Sequence, residues 1–87
     1  MTDRAVLEFT VEPFVPAKPG PHVTASIDAA RGTAIDVDVG PFGTTVTAKT
    51  SNIADIARAV VDAALSNGAS RVSLQVSTGP EPVSREE

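Results

Sequence analysis

Ala34-Ile35-Asp36-Val37-Asp38-Val39, Gly40-Pro41-Phe42-Gly43-Thr44 and Thr45-Val46-Thr47-Ala48 follow one another in the middle of the chain, and their reading decides the fold. The first run alternates apolar and polar residues, the period of a half-buried strand. The second is a tight turn framed by glycines and a proline. The third alternates again. Together they predict a β-hairpin with strands over 33–39 and 44–49.

Upstream, Leu7, Phe9 and Val11 alternate with Val6, Glu8, Thr10 and Glu12. This predicts a strand over 5–11, stopped by Pro13 and Pro16. The stretch 15–21 is rich in proline and reads as a loop. Pro21 suits the first turn of a helix, where its missing N–H costs nothing. Val23, Ile27 and Ala30 fall on one helical face, and Gly32 is a natural stop.

Downstream, Asn52 reads as an N-cap, with Asp55 in the first turn where the helix dipole favours a negative charge. Ile53, Ile56, Ala57, Val60 and Ala64 form an apolar stripe, and Gly68 closes the helix. Arg71 to Ser77 alternates once more. From Thr78 the composition turns to Pro, Glu and Ser, the signature of a disordered tail. The expected organisation is a single domain over 1–77 and a tail over 78–87.

The order β-α-β-β-α-β predicts an α+β fold of the ferredoxin-like plan: a four-stranded antiparallel sheet with two helices on one face. Leu7, Phe9, Ile35, Val37, Ile56, Val60, Leu74 and Val76 are the expected core.

The chain has 87 residues and a formal charge of −4. A domain this small buries a modest share of its surface. Its apolar residues are mostly Val, Ala and Ile, so pairing with further copies would add stability. The acidic balance lacks the basic footprint of a nucleic-acid binder and favours a cationic small molecule over a phosphorylated one. With no Cys, thiolate metal sites and disulfides are excluded. No stretch has signal-peptide or membrane-spanning character, so the expected location is the cytoplasm, with no membrane partner.

Only one sheet face lies under the helices in this plan. The other carries Glu8, Thr10, Glu12, Asp36, Asp38, Thr45, Thr47, Arg71, Ser73 and Gln75. A solvated face is the ordinary role of such a surface. A polar interface or pocket wall is the functional one. Asp36 and Asp38 point the same way, but no nucleophile, oxyanion-hole motif or metal cluster accompanies them. The sequence therefore assigns no catalytic residue, no metal and no cofactor. His22, the lone histidine, reads as a surface or capping residue. The Gly40–Gly43 turn lacks the Lys and following helix of a phosphate loop.

Four runs carry a family resemblance: Glu8-Phe9-Thr10-Val11-Glu12-Pro13, Gly20-Pro21-His22-Val23, Gly40-Pro41-Phe42-Gly43-Thr44 and Gly68-Ala69-Ser70-Arg71-Val72. In this order and spacing, from about Val6 to Ser77, the chain resembles the thiamine-binding proteins of the MTH1187/YkoF-like superfamily. The Pro-x-Gly-Thr hairpin and the Gly-Ala-x-Arg-Val run are the closest parallels. The family often has an acidic residue shortly after the hairpin Thr, where this chain has Thr45-Val46-Thr47. The resemblance implies a ferredoxin-like subunit, assembly into dimers or tetramers, and non-enzymatic binding of thiamine or its hydroxymethylpyrimidine part. The expected ligand site lies at or near a subunit interface. Glu8, Thr10, Asp36, Asp38 and Gln75 supply polar contacts, Phe42 an apolar wall and Thr44 a hydroxyl. The competing expectation is a self-assembling interaction module without a small-molecule ligand.

Overall fold

The computed structural model describes residues 3–13, 20–40 and 43–78. Its elements run β1 (Arg4–Glu12), α1 (Pro21–Ala30), β2 (Asp36–Val39), β3 (Thr44–Lys49), α2 (Thr50–Ser66) and β4 (Arg71–Ser77). The strands form one sheet in the order β2-β3-β1-β4. Every neighbouring pair is antiparallel. Each βαβ unit thus has its two strands separated by one strand of the other unit. The α+β class and the element order agree with the sequence reading.

Residues directly opposite one another in an antiparallel pair share a face. Leu7 pairs with Val46 and Val76, and Phe9 pairs with Thr44 and Leu74. These rows face the helices. Ala5, Leu7, Phe9 and Val11 of β1 are buried there with Val46 and Ala48 of β3. From α2, Ile53, Ile56, Val60 and Ala64 close the core, with an i, i+3, i+7, i+11 spacing that places them on one face.

The core differs from expectation at the sheet margins. Leu74 and Val76 face the helix side but are 41% and 49% exposed, and Ile35 is 49% exposed. Val37 is only half-buried. The reason is positional. Helix α2 packs on β1, β3 and β4, with Val72 of β4 against the core, while β4 and β2 are the edges of the sheet and only part of each is covered. Ile35 also precedes β2, which is shorter than predicted.

The helix starts differ as well. Strand β3 runs directly into α2, with Lys49 at the N-cap position and no side-chain cap. The Thr50 N–H donates to the Asp3 carbonyl at 2.7 Å. The helix therefore begins before Asn52, which lies inside it, and Asp55 falls beyond the first turn. At the other end the expectation holds. Gly68 has φ +102°. The Ala69 N–H donates to the Ala64 carbonyl at 3.0 Å, and the Gly68 N–H to the Leu65 carbonyl at 3.4 Å. This is the paired closure of a Schellman motif. A Cβ at Gly68 would meet open space, so only backbone strain opposes one. Gly68→Ala is expected to lower stability by roughly 1–2 kcal/mol. Urea unfolding should show a lower midpoint at an unchanged m-value.

Helix α1 has Pro21 at its first position and Gly20 at the N-cap. Its buried residues are His22, Ser26 and Ala30, not the expected stripe of Val23, Ile27 and Ala30. Helix α1 packs mainly against α2 and only lightly on β1. The small side chains of Ser26 and Ala30 permit that close approach, and Val23 and Ile27 remain half-buried.

Candidate ligand site at the hairpin end of the sheet

The lean of α1 onto α2 leaves a gap over the sheet. A cleft of about 250 Å³ opens there, walled by Phe9 and Val11 of β1, Val23, Ser26 and Ile27 of α1, and Val39 and Thr44 of the hairpin. Its walls are mostly apolar, with the hydroxyl-bearing Thr10, Ser26 and Thr44 and the carboxylate of Glu12. Small-molecule sites commonly have this composition, at about 300–1,000 Å³. The cleft is therefore sized for one ring and its substituents. Ser26 donates its Oγ–H to the Val23 carbonyl at 2.8 Å. Ser26 is 0% exposed, so it backs the wall rather than opening into the cleft. Thr44 is 6% exposed, deep in the wall.

A second, wider hollow of about 440 Å³ lies at the same end of the sheet. Glu8, Thr10, Thr45, Ser73 and Gln75 contribute to it. The two spaces share Phe9, Thr10, Gly40, Gly43 and Thr44. The shared edge is built from glycine for a steric reason. The Gly40 N–H donates to the Gly43 carbonyl at 2.8 Å, which closes the hairpin. A Cβ on Gly43 would stand 3.1 Å from Thr10 Cγ2 and 3.2 Å from the Phe9 carbonyl oxygen. A side chain at that point would require Thr10 or the Phe9 backbone to give by a few tenths of an ångström.

The residues expected from the sequence fall into distinct places. Glu8, Thr10 and Gln75 lie on the open sheet face, and all three line the wider hollow. Thr44 belongs to the helix-facing row, opposite Phe9, and borders both spaces. Asp38 pairs with Thr45, which pairs with Glu8, which pairs with Gln75. These four make one row across the sheet. Asp38 and Asp36 nevertheless line neither space. Phe42 lies outside the described residues.

Sequence reasoning missed Ser26, Val23, Ile27 and Glu12 as site residues. Ser26 gave a readable signal, since it is a small polar residue one helical turn after His22. His22 is itself 9% exposed, and its Nε2 lies within hydrogen-bond reach of the Pro13 carbonyl. A carbonyl oxygen only accepts, so Nε2 carries the proton in that bond. A Cβ on Gly20 would stand 2.9 Å from His22 Cε1. His22 thus ties the start of α1 to the end of β1 and helps hold one wall of the cleft. The expected surface or capping role becomes a buried structural one.

At the same end of β1, the Glu12 carbonyl accepts from the Ser70 N–H at 2.8 Å and from the Ser70 hydroxyl at 3.2 Å. The Glu12 carboxylate stands 3.9 Å from Arg71 Nε, with both side chains well exposed. Among the described residues, no group of three or more His, Cys, Asp or Glu is placed to hold a metal ion.

Known proteins share this arrangement of elements. One similar structure is a structural-genomics target from Streptococcus pneumoniae, with TM-score 0.72 and 16% identity over 94% of this chain and 92% of that one. A domain of unknown function from Bacillus cereus has TM-score 0.66 and 22% identity over 92% of this chain and 80% of that one. A candidate thiamine biosynthesis/salvage protein from Thermotoga maritima has TM-score 0.63 and 20% identity over 90% of this chain and 91% of that one. At such identities the likeness is one of fold. No curated protein matches the sequence. The family model described as thiamine-binding protein, however, matches residues 7–82, which include β1 from Leu7 onward, the other three strands, both helices and the hairpin end. The chain belongs to the thiamine-binding protein family.

Proposed function

We propose that this protein binds thiamine or its hydroxymethylpyrimidine part at the hairpin end of the sheet, without chemical turnover. The observation that carries this reading is the mostly apolar cleft with Thr10 and Thr44 in its wall, in a chain whose family is one of thiamine binders. A flat aminopyrimidine matches such a space. Its ring covers Phe9, Val11 and Ile27, and its ring nitrogens and amine pair with the Thr10 and Thr44 hydroxyls. The adjoining hollow, with Glu8, Thr10 and Gln75, accommodates the thiazolium. Asp36 and Asp38 add negative potential from the same sheet face rather than direct contact. Phe42 remains part of the proposal as an apolar cover from the turn.

Calorimetric titration with thiamine and with hydroxymethylpyrimidine tests this directly. Thr44→Val keeps the shape of the wall and removes the hydroxyl. One lost hydrogen bond of about 1–1.5 kcal/mol predicts a roughly five- to tenfold weaker affinity for both compounds. Unchanged affinity for both would place the ligand elsewhere.

A second reading, self-assembly, is favoured by a different observation. Among the described residues, the outer edge of β4 is unpaired, and Leu74 and Val76 on this strand stand exposed. Strand β4 carries no Lys, Pro or acidic residue between Arg71 and Ser77. Such residues are the usual protection of an edge strand. The other edge, β2, carries Asp36 and Asp38. We therefore propose a homodimer joined along β4, with a dimer of dimers as its extension. Binding and assembly are compatible. An intracellular location also belongs to this proposal. The structure itself adds that no helix among the described residues is long and apolar enough to cross a membrane.

A further inference from the structure

Resting on the thiamine-type reading, we propose that this site selects the unphosphorylated, cationic form of its ligand, with Glu8 and Glu12 as specificity-determining residues. The two contiguous spaces at the hairpin end include one carboxylate each: Glu12 borders the cleft and Glu8 the wider hollow. Among the described residues, neither space is lined by a Lys or an Arg. Gly40 and Gly43 add no side chain to the edge that the two spaces share with Phe9, Thr10 and Thr44, and a two-ring ligand is proposed to span it there. A ring held in the cleft then places its cationic partner beside Glu8.

The backbone gives a phosphate little to bind. Anion sites at helix starts depend on free N–H groups in the first turn. Pro21 has no N–H, and the Val23 N–H already donates to the Gly20 carbonyl at 3.0 Å. Among the described residues, the cation that meets Glu12 is Arg71, which lines neither space and stands 3.9 Å away with both groups exposed. Such a contact is weak and leaves the carboxylate its field. The row from Asp38 through Thr45 to Glu8 adds a further negative charge on the open face. The formal charge of −4 acts in the same direction at longer range. A phosphoryl group near Glu8 or Glu12 is therefore repelled where the thiazolium is attracted.

Titration calorimetry at low salt with hydroxymethylpyrimidine, thiamine, thiamine monophosphate and thiamine diphosphate tests the assignment on the intact protein. Thiamine is expected to bind at least about tenfold more tightly than the diphosphate, with the monophosphate between them. In Glu8→Gln and Glu12→Gln, both at exposed positions, thiamine should weaken relative to its diphosphate, so the gap between them narrows; hydroxymethylpyrimidine stays unchanged in Glu8→Gln, whose carboxylate borders only the hollow. Circular dichroism confirms that the variants are folded. Equal wild-type affinity for thiamine and its diphosphate overturns the charge selection and leaves the binding reading standing. Variants that preserve the wild-type ratio overturn the roles of Glu8 and Glu12. Absence of binding by all four compounds overturns the binding reading and this inference together.

Discussion

Leu7→Ala is expected to lower the unfolding free energy by about 2–5 kcal/mol. Leu7 is fully buried at the centre of β1, between Val46 on one neighbour and Val76 on the other. Truncation removes several methyl and methylene contacts and leaves a cavity. The surrounding residues are ill suited to fill it. Val46 and Val60 are β-branched and stiff, and Ala5, Ala48 and Ala64 have nothing to extend. A domain of this size has only about 5–15 kcal/mol of total stability at most. The variant should therefore unfold near ambient temperature or far earlier in urea than the parent. A shift of the urea midpoint corresponding to under 1 kcal/mol would show that the core collapses around the gap.

Leu74→Asp combined with Val76→Asp is expected to convert the proposed dimer into a monomer of 8.9 kDa. Both side chains are already exposed in the single chain, so the substitutions cost the fold little. At an interface they replace apolar contact by carboxylates, and a two-fold axis applies both substitutions from each copy, because residue i meets j and j meets i. A loss of about 3 kcal/mol is roughly a hundredfold in dissociation constant. Sedimentation at micromolar concentration reads the change. Wild-type protein that sediments as a single 8.9 kDa species would overturn the assembly proposal. An unaltered dimer in the double variant would move its interface away from β4.

Most of the fold is legible in the sequence, because period-two alternation states which residues share a face. Glu8, Thr10, Ser73 and Gln75 are on one side of the sheet, and Leu7, Phe9, Leu74 and Val76 on the other, as the alternation requires. Periodicity says nothing of what covers a face. Leu74 and Val76 read as core because they share the row of Phe9 and Leu7. They are exposed because they lie on an edge strand of which only Val72 packs against the core. The same limit applies to α1. Helical spacing marks Val23, Ile27 and Ala30 as one face, but the choice between facing α2 and facing the sheet belongs to tertiary packing. That choice put His22 and Ser26 inside and opened the cleft. Asn52 failed as a cap because no loop separates β3 from α2. The candidate site is legible on the open face, in Glu8, Thr10 and Gln75. Its apolar half depends on the helix lean and left only Ser26 as a hint.

The central position of β1 has a consequence for how the protein comes into being. Both of its partners lie far along the chain: β3 begins at Thr44 and β4 at Arg71. The strand made first is thus the strand completed last. During synthesis Leu7, Phe9 and Val11 leave the ribosome well before either neighbour is available. Chains emerge at about 5–20 residues per second, so these side chains wait for several seconds without a sheet to join. Pairing across such sequence separations is also slow, because the loop entropy is lost before the contacts form. The nascent apolar strand is therefore the segment most in need of a chaperone's protection, and β4 is the element whose arrival ends that need.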